Sequence, residues 1–173
     1  YTLTQDDVSS TIKVIVTYTD QRGFSESETS SSTSAVTNVN DPTTGSVTIS
    51  GTATQNQTLT ASNDIGDVDG MGTITYTWSN GAIGETITLG QSDVGTTITV
   101  TASYTDAQGT AESVTSAATS EVANVNDAPT GSVTISGVAR EDEVLTAVNT
   151  LVDEDVLGDI IYTWSTGATG DTI

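Results

Sequence analysis

The sequence predicts an all-β protein made of small antiparallel two-sheet sandwiches. Apolar residues alternate with Ser and Thr over many short stretches, and no stretch shows the 3.6-residue period of an amphipathic helix. The sequence also repeats itself, because Asn38 aligns with Asn124 and this offset of 86 residues (124 − 38) holds without a gap through all 173 residues. The period exceeds the roughly 20 to 50 residues of solenoid repeats, so each period is predicted to be a small domain in a tandem array.

Within one period the alternation predicts six or seven strands. Residues 97–104 and their counterparts 11–18 form the clearest strand, with one apolar and one polar face. The residues predicted to face inward on these two copies are Ile12, Val14, Val16 and Tyr18, and Ile98, Val100, Ala102 and Tyr104. A second pair of copies places Ile74, Tyr76 and Trp78, and Ile160, Tyr162 and Trp164, inward. Further strands are predicted near residues 47–49, 59–61, 87–89 and 109–122, with turns at 67–72, 80–84, 91–95 and 106–109.

Trp78 and Trp164 carry a resemblance to the immunoglobulin-like fold, since each falls where the core tryptophan of its third strand belongs. Asp93, Val94 and Gly95 resemble the Asp-x-Gly that precedes its sixth strand. The chain has no cysteine, so it resembles the small, disulfide-free version of the fold. The predicted organisation is the back half of one repeat (residues 1–41), a complete repeat (42–127) and the front half of the next (128–173).

The charge balance predicts a cation as partner. Three Lys+Arg against 23 Asp+Glu give a net charge of −20, which disfavours nucleic acid and anionic membranes. His and Cys are both absent, which excludes the usual zinc and copper ligands and any Ser-His-Asp set. The acids lie on Gly-rich polar turns and not in apolar clefts, so we expect no enzyme. No apolar run approaches the roughly 20 residues that span a bilayer, so membrane insertion of this segment is not expected.

Acidic and amide side chains gather at the two boundaries between predicted repeats, which we name the first connector (residues 38–41) and the second connector (residues 124–127). In an immunoglobulin-like sandwich, loops of both neighbouring domains lie beside such a connector. The predicted metal ligands at the first connector are Asp6, Asp7, Asn38, Asn40, Asp41, Asp67, Asp69 and Asp106. Those at the second connector are Asp93, Asn124, Asn126, Asp127, Asp153 and Asp155.

Two carboxylates about 4 Å apart repel by roughly 4 kcal/mol at an effective dielectric near 20, so a bound cation would relieve them. Ca²⁺ takes six to eight oxygen ligands in flexible geometry and is the predicted ion, with Mg²⁺ second. The alternative interpretation is solvated surface charge that keeps the chain soluble. The loop holding Gln55 carries no acid, although Glu141 and its acidic neighbours stand one period later, so the second connector is expected to bind fewer or weaker ions.

The connectors resemble the Asp-x-Asn-Asp linker of cadherin repeats, with Asn38 and Asn124 in place of the first Asp, and Asp67-Val68-Asp69 and Asp153-Glu154-Asp155 resemble the cadherin Asp-x-Asp loop. Over the whole chain the sequence is similar to the immunoglobulin-like or cadherin-like tandem repeats of giant bacterial surface adhesins and biofilm proteins. This resemblance implies an extracellular, calcium-stiffened extender on a bacterial cell surface, whose partners are the neighbouring repeats of the same chain.

A second interpretation is a subunit of a self-assembling extracellular filament. In this case the half repeats of residues 1–41 and 128–173 would complete one another between copies, as in strand complementation. A third class, a glycan-binding or protein-binding module, requires an exposed aromatic patch, and the few aromatic residues are predicted to alternate inward.

Overall fold

The computed structural model describes all 173 residues and shows an all-β chain. The strands are β1 (Ile15–Thr19), β2 (Ser25–Thr29), β3 (Val47–Ser50), β4 (Thr58–Asn63), β5 (Thr75–Trp78), β6 (Thr86–Thr88), β7 (Val100–Thr105), β8 (Ala111–Thr115), β9 (Val133–Gly137) and β10 (Leu145–Asn149). Two 3₁₀-helices, Gln5–Asp7 and Gln91–Asp93, are the only helical elements. The predicted all-β class is confirmed, and the strands form four small sheets, ordered β1-β2, β10-β9, β3-β4-β6 and β5-β7-β8. None of the helical segments has the length and apolar character needed to cross a bilayer.

The chain divides into two compact units. The first comprises Tyr1–Ser50, Thr60–Ile87 and Ile98–Thr119, and the second comprises Gly51–Leu59, Thr88–Thr97 and Ser120–Ile173. The first unit contains the first connector and the second unit contains the second connector. The predicted repeat boundaries at residues 41 and 127 remain predictions.

The core of the first unit forms where β3 packs against β7. Trp78 on β5 pairs with Val100 on β7, and their side chains are 2% and 0% exposed. Every second residue of β7 is buried, as the period-two pattern predicts. The buried apolar residues of this unit are Val47, Ala61, Trp78, Ile87, Ile98, Val100, Ala102 and Tyr104. Two facing layers of this kind are consistent with a β-sandwich.

The core of the second unit is smaller. Leu59, Leu89 and Val122 are its buried apolar residues. Backbone hydrogen bonds hold residues 53–57 across them, since Gln55 N donates to Ala123 O and Leu89 N donates to Gln57 O. Strands β9 and β10 pair from Val133↔Asn149 to Gly137↔Leu145 but leave every residue of β9 exposed.

The predicted strand over residues 109–122 is wrong in its length, because β8 ends at Thr115. After β8, side-chain hydroxyl oxygens accept hydrogen bonds from backbone N–H groups of residues 98–100. Val100 N donates to Ser116 Oγ, and Ile98 N donates to Thr119 Oγ1. These Ser and Thr acceptors interrupt the backbone ladder, which explains why a strand-like sequence does not form a regular strand there.

The predicted burial of residues 12–18 is also wrong. Val14, Val16 and Tyr18 are 61%, 56% and 56% exposed. Strand β1 pairs with β2, from Ile15↔Thr29 to Thr19↔Ser25, and no third strand joins this sheet. In the predicted half repeat of residues 128–173, Ile160 is likewise 41% exposed. Alternation makes one face of a strand apolar, but that face is buried only where a second layer packs against it.

Candidate cation site and the connectors

The carboxylate of Asp69 ties the first connector to two other segments of the first unit. Asp69 is 2% exposed, in the loop between β4 and β5. Gln5 Nε2 donates to its Oδ1 at 2.8 Å, and the backbone N–H of Asp41 donates to its Oδ2 at 2.7 Å. Asp7 caps the 3₁₀-helix that positions Gln5, because Thr4 N donates to Asp7 Oδ2 at 2.9 Å. The buried charge of Asp69 is therefore balanced by charge-assisted hydrogen bonds.

The same arrangement recurs 86 residues later in the second unit. Gln91 Nε2 donates to Asp155 Oδ1 at 3.3 Å, and the backbone N–H of Asp127 donates to Asp155 Oδ2 at 2.8 Å. The Asp127 backbone N–H and the Asn124 side chain lower the pKa of the Asp155 carboxyl group below its usual value. Asp93 caps the helix of Gln91, since Gly90 N donates to Asp93 Oδ2 at 2.9 Å.

Gln55 is a further brace at the second connector. Its side chain is 2% exposed, its Nε2 donates to Asp127 Oδ2 at 2.8 Å, and its Oε1 accepts from Val125 N at 3.0 Å. The sequence predicts fewer or weaker ions at this connector because the loop lacks an acid, and that expectation stays a prediction. The structure places the neutral amide of Gln55 directly against the connector carboxylate, where it supplies the donor that a second carboxylate would lack.

Three acidic side chains of the first unit converge beside the first connector. Asp67, Asp106 and Glu112 each direct one carboxylate oxygen so that the three oxygens lie within 4.8 Å of one another. Asp106 follows β7 and is only 5% exposed. Its Oδ1 accepts from the backbone N–H of Gln108 at 2.8 Å and of Thr110 at 2.7 Å, whereas its buried Oδ2 has no hydrogen-bond partner. A buried anionic oxygen without a donor is unfavourable unless a cation approaches it.

The connector and β7 hold the other two carboxylates of this cluster. Tyr104 Oη donates to Asp67 Oδ2 at 2.6 Å, and Asn40 Nδ2 of the first connector donates to Glu112 Oε1 at 3.0 Å. Burial and the bond to Asp67 raise the pKa of the Tyr104 hydroxyl, which keeps it protonated as a donor. Burial alone would raise the pKa of Asp106, but the backbone donors of Thr110 and Gln108 outweigh it and lower that pKa. The Asp106 carboxyl group is thus ionised at neutral pH.

The three carboxylates could bind a metal ion. Their oxygens are hard ligands of the kind that Ca²⁺ and Mg²⁺ prefer. Asp67 and Asp106 were predicted as ligands, whereas Glu112 was missed. The signal for Glu112 was present in the hairpin, because a turn at residues 106–109 sets Glu112 opposite Tyr104 in the β7–β8 register.

Asn40 contacts this cluster through Glu112, whereas the other predicted carboxylate ligands are not part of it. Asp69 and Asp155 bind amide donors, and Asp7 and Asp93 cap their helices, so these carboxylates already have protein partners. Asn38 Oδ1 is buried without a hydrogen-bond partner. Asn126 Nδ2 donates to Asp127 O, Asp155 N donates to Asp153 Oδ1, and Asp6 is exposed.

Comparison with known proteins gives no relative for this chain. No protein-family model matches it. No curated protein and no solved structure matches it at a significant level either.

Proposed function

We propose that this chain is an extender of a large extracellular bacterial adhesin or biofilm protein, built from tandem immunoglobulin-like repeats whose connectors are held rigid. The observation that carries the proposal is the recurrent clamp on the connector. A Gln side chain and the connector backbone both bind Asp69, and an equivalent pair binds Asp155. Segments before and after each connector are thereby tied through one carboxylate, which removes bending freedom that a free four-residue linker would have.

The proposed bound ion is Ca²⁺ at the cluster of Asp67, Asp106 and Glu112. The support is the unpartnered Oδ2 of buried Asp106 and the convergence of three carboxylate oxygens. Ca²⁺ suits this site better than Mg²⁺, because it accepts irregular sets of oxygens and completes them with water. Asn40 binds Glu112, so an ion there would fix the first connector as well as the loops.

The extracellular and bacterial parts of the proposal are supported by the sequence resemblance. The motifs that carry it are the two connectors, Asp93-Val94-Gly95, and Tyr104-Thr105-Asp106 followed by Gly109. A net charge of −20 agrees with a chain that works in a calcium-rich medium.

A calcium titration followed by thermal melting tests the ion. At a hundred times the Kd a ligand adds about 2.7 kcal/mol of stability, so we expect the Tm of the wild-type chain to rise by about 5 °C or more. Asp106→Asn should abolish the rise, since an Asn side chain keeps an acceptor for the Gln108 and Thr110 N–H groups but lacks the charge.

Asp20→Asn is the matched control. Asp20 lies 86 residues before Asp106 and accepts the equivalent bonds from Arg22 N and Phe24 N at 2.8 and 2.9 Å. The calcium response should survive this substitution. A calcium response of Asp106→Asn equal to that of the wild type would contradict the site, and solution scattering unchanged by chelator would contradict calcium-dependent stiffness.

A further inference from the structure

One short loop of the first unit joins the cation cluster of Asp67, Asp106 and Glu112 to the first clamp, which consists of Gln5, Asp41 and Asp69. Asp67 belongs to the cluster, and its Oδ1 accepts from the backbone N–H of Asp69 at 2.8 Å. Two residues further on, the Asp69 carboxylate accepts from Gln5 Nε2 and from Asp41 N. The loop therefore presents one carboxylate to the cluster and the next one to the clamp.

The first connector and the residue that follows it link the same two places by a second route. Asn40 Nδ2 donates to Glu112 Oε1 at 3.0 Å, and Thr43 Oγ1 donates to Glu112 Oε2 at 3.2 Å. The Thr43 hydroxyl also shares a hydrogen bond of 2.6 Å with Tyr104 Oη, which in turn donates to Asp67 Oδ2. Asp41, whose N–H holds Asp69, lies between these two residues in the chain. The positions of the clamp and of the cluster are thus tied to each other from both sides.

The amide of Gln5 matters because the carboxylate that it binds is buried. Asp69 is 2% exposed, so losing this donor would leave a buried charge with fewer hydrogen bonds. The loop can relieve that cost by moving Asp69 towards water. Since Asp69 N is bound to Asp67 Oδ1, this movement would also displace Asp67 from the cluster.

We propose that Gln5 is a positioning residue for the cation cluster, which raises the calcium affinity of the cluster through Asp69 and Asp67. This inference rests on the proposed calcium site and adds that its affinity is regulated by the chain segment before the connector. Because linkage is reciprocal, bound calcium tightens the clamp by the same factor. A pull on the first connector that separates Gln5 from Asp69 therefore lowers the calcium affinity.

The second connector supplies the matched control. Gln91 is the counterpart of Gln5 and donates to Asp155 Oδ1 at 3.3 Å, but it lies in the second unit and does not bind the loop of Asp67. Gln5→Met and Gln91→Met each keep the length of the side chain and remove its donor. Both 3₁₀-helices retain their capping carboxylates, Asp7 and Asp93, in these variants.

Calcium affinity is measured on the full chain by nuclear magnetic resonance, from the amide signals of Gln108 and Thr110. Their N–H groups donate to Asp106 Oδ1 at 2.8 and 2.7 Å, so their shifts report calcium at this cluster and not elsewhere. We expect Gln5→Met to raise the calcium Kd about fivefold or more, and Gln91→Met to leave it unchanged.

The reciprocal effect is measured at the clamp itself by amide hydrogen exchange of Asp41. Its N–H is held by Asp69 Oδ2 at 2.7 Å, so opening of the clamp exposes it to water. Saturating calcium should slow this exchange in the wild type by about the factor found for the Kd. In Asp106→Asn, calcium should not alter it. A role of Gln5 in stability alone predicts no calcium dependence at Asp41.

The outcomes separate this inference from the proposed calcium site. Calcium-induced shifts at Gln108 and Thr110 with the same Kd in the wild type and in Gln5→Met would overturn the inference and leave the site standing. An equal loss of affinity in Gln91→Met would also overturn it, because a general loss of stability would then explain both variants. No calcium-induced shift at these two amides in the wild type would overturn the calcium site, and the inference with it.

Discussion

Strands β1 and β7 carry equivalent residues 86 positions apart, yet β7 is buried and β1 is exposed. Val100 is 0% exposed and its counterpart Val14 is 61% exposed, although both strands form an antiparallel hairpin with the next strand. The difference is that β7 also has β5 beside it and β3 across from it. Hairpin formation is therefore local to the sequence, whereas burial depends on segments supplied from elsewhere. Matched substitutions at counterpart positions test this contrast.

The largest expected difference is between the two tryptophans. Trp78 is 2% exposed and Trp164 is half-buried, while both indole Nε1 groups donate to a backbone oxygen six residues on, Gly84 O and Gly170 O. Trp78→Ala should cost about 3–5 kcal/mol of unfolding free energy, because it leaves a cavity in the core. Trp164→Ala should cost about 1 kcal/mol or less. Urea unfolding followed by circular dichroism measures both, and equal losses would remove the contrast between the two copies.

The second difference concerns the braces at the connectors. Gln55→Ala removes two hydrogen bonds from a buried side chain, one of them to the Asp127 carboxylate, and should cost about 2–3 kcal/mol. Glu141 is the counterpart of Gln55 86 residues later, and Glu141→Ala removes only an exposed side chain, so it should change stability by about 0.5 kcal/mol at most. The measurement is thermal melting of the wild type and of both variants. A Gln55→Ala chain as stable as the wild type would mean that Gln55 does not brace the connector.

A smaller difference is expected at the serines that interrupt the strand ladder. Ser116 Oγ accepts from the buried Val100 N, and Ser30 Oγ accepts from the exposed Val14 N at 3.0 Å. Ser116→Ala leaves a buried N–H without an acceptor and should cost about 1–2 kcal/mol. Ser30→Ala leaves the Val14 N–H to bond with water and should cost about 0.5 kcal/mol or less. Amide hydrogen exchange at Val100 and Val14 provides an independent readout, with acceleration expected mainly at Val100.

The smallest expected effect is a pH dependence at Asp64. Ser46 Oγ and Ser46 N donate to Asp64 Oδ1 at 2.9 and 2.7 Å and lower the pKa of this carboxyl group. A lowered folded-state pKa gives stability that is present above the unfolded pKa, near 4, and is lost as the pH falls through the folded pKa. The counterpart of Asp64 is Thr150, whose Oγ1 accepts from Ser132 N without a charge.

Asp64→Thr should therefore retain the turn and flatten the acid limb of a stability-versus-pH curve. The test compares the Tm of wild type and variant from neutral pH down to about pH 3. Parallel curves for the two proteins would show that the Asp64 charge contributes nothing to folding.

The candidate site was predictable in part. The Asp67 and Asp106 positions followed from acidic turns beside a predicted connector, and the structure brings their oxygens together. Glu112 was not predicted because an acidic residue within a strand looks like ordinary surface in the sequence, and only the hairpin register places it beside Tyr104 on the inward face. The hydrogen bonds of Gln55 were not predicted, because a neutral residue in a loop without acids indicates an absent ligand and gives no sign of a buried donor.

The sequence alone determined the all-β class and, apart from the strand predicted over residues 109–122, the approximate strand positions of the central period, because period-two alternation and Gly or Asp at turns act within a few residues. It also limited the side-chain metal ligands that the chain can offer to oxygen donors, since the chain has neither thiol nor imidazole. Only the tertiary structure decided which alternating faces are buried and which carboxylates receive amide donors. Both depend on contacts between residues that are far apart in the chain, and a local sequence pattern does not specify those contacts.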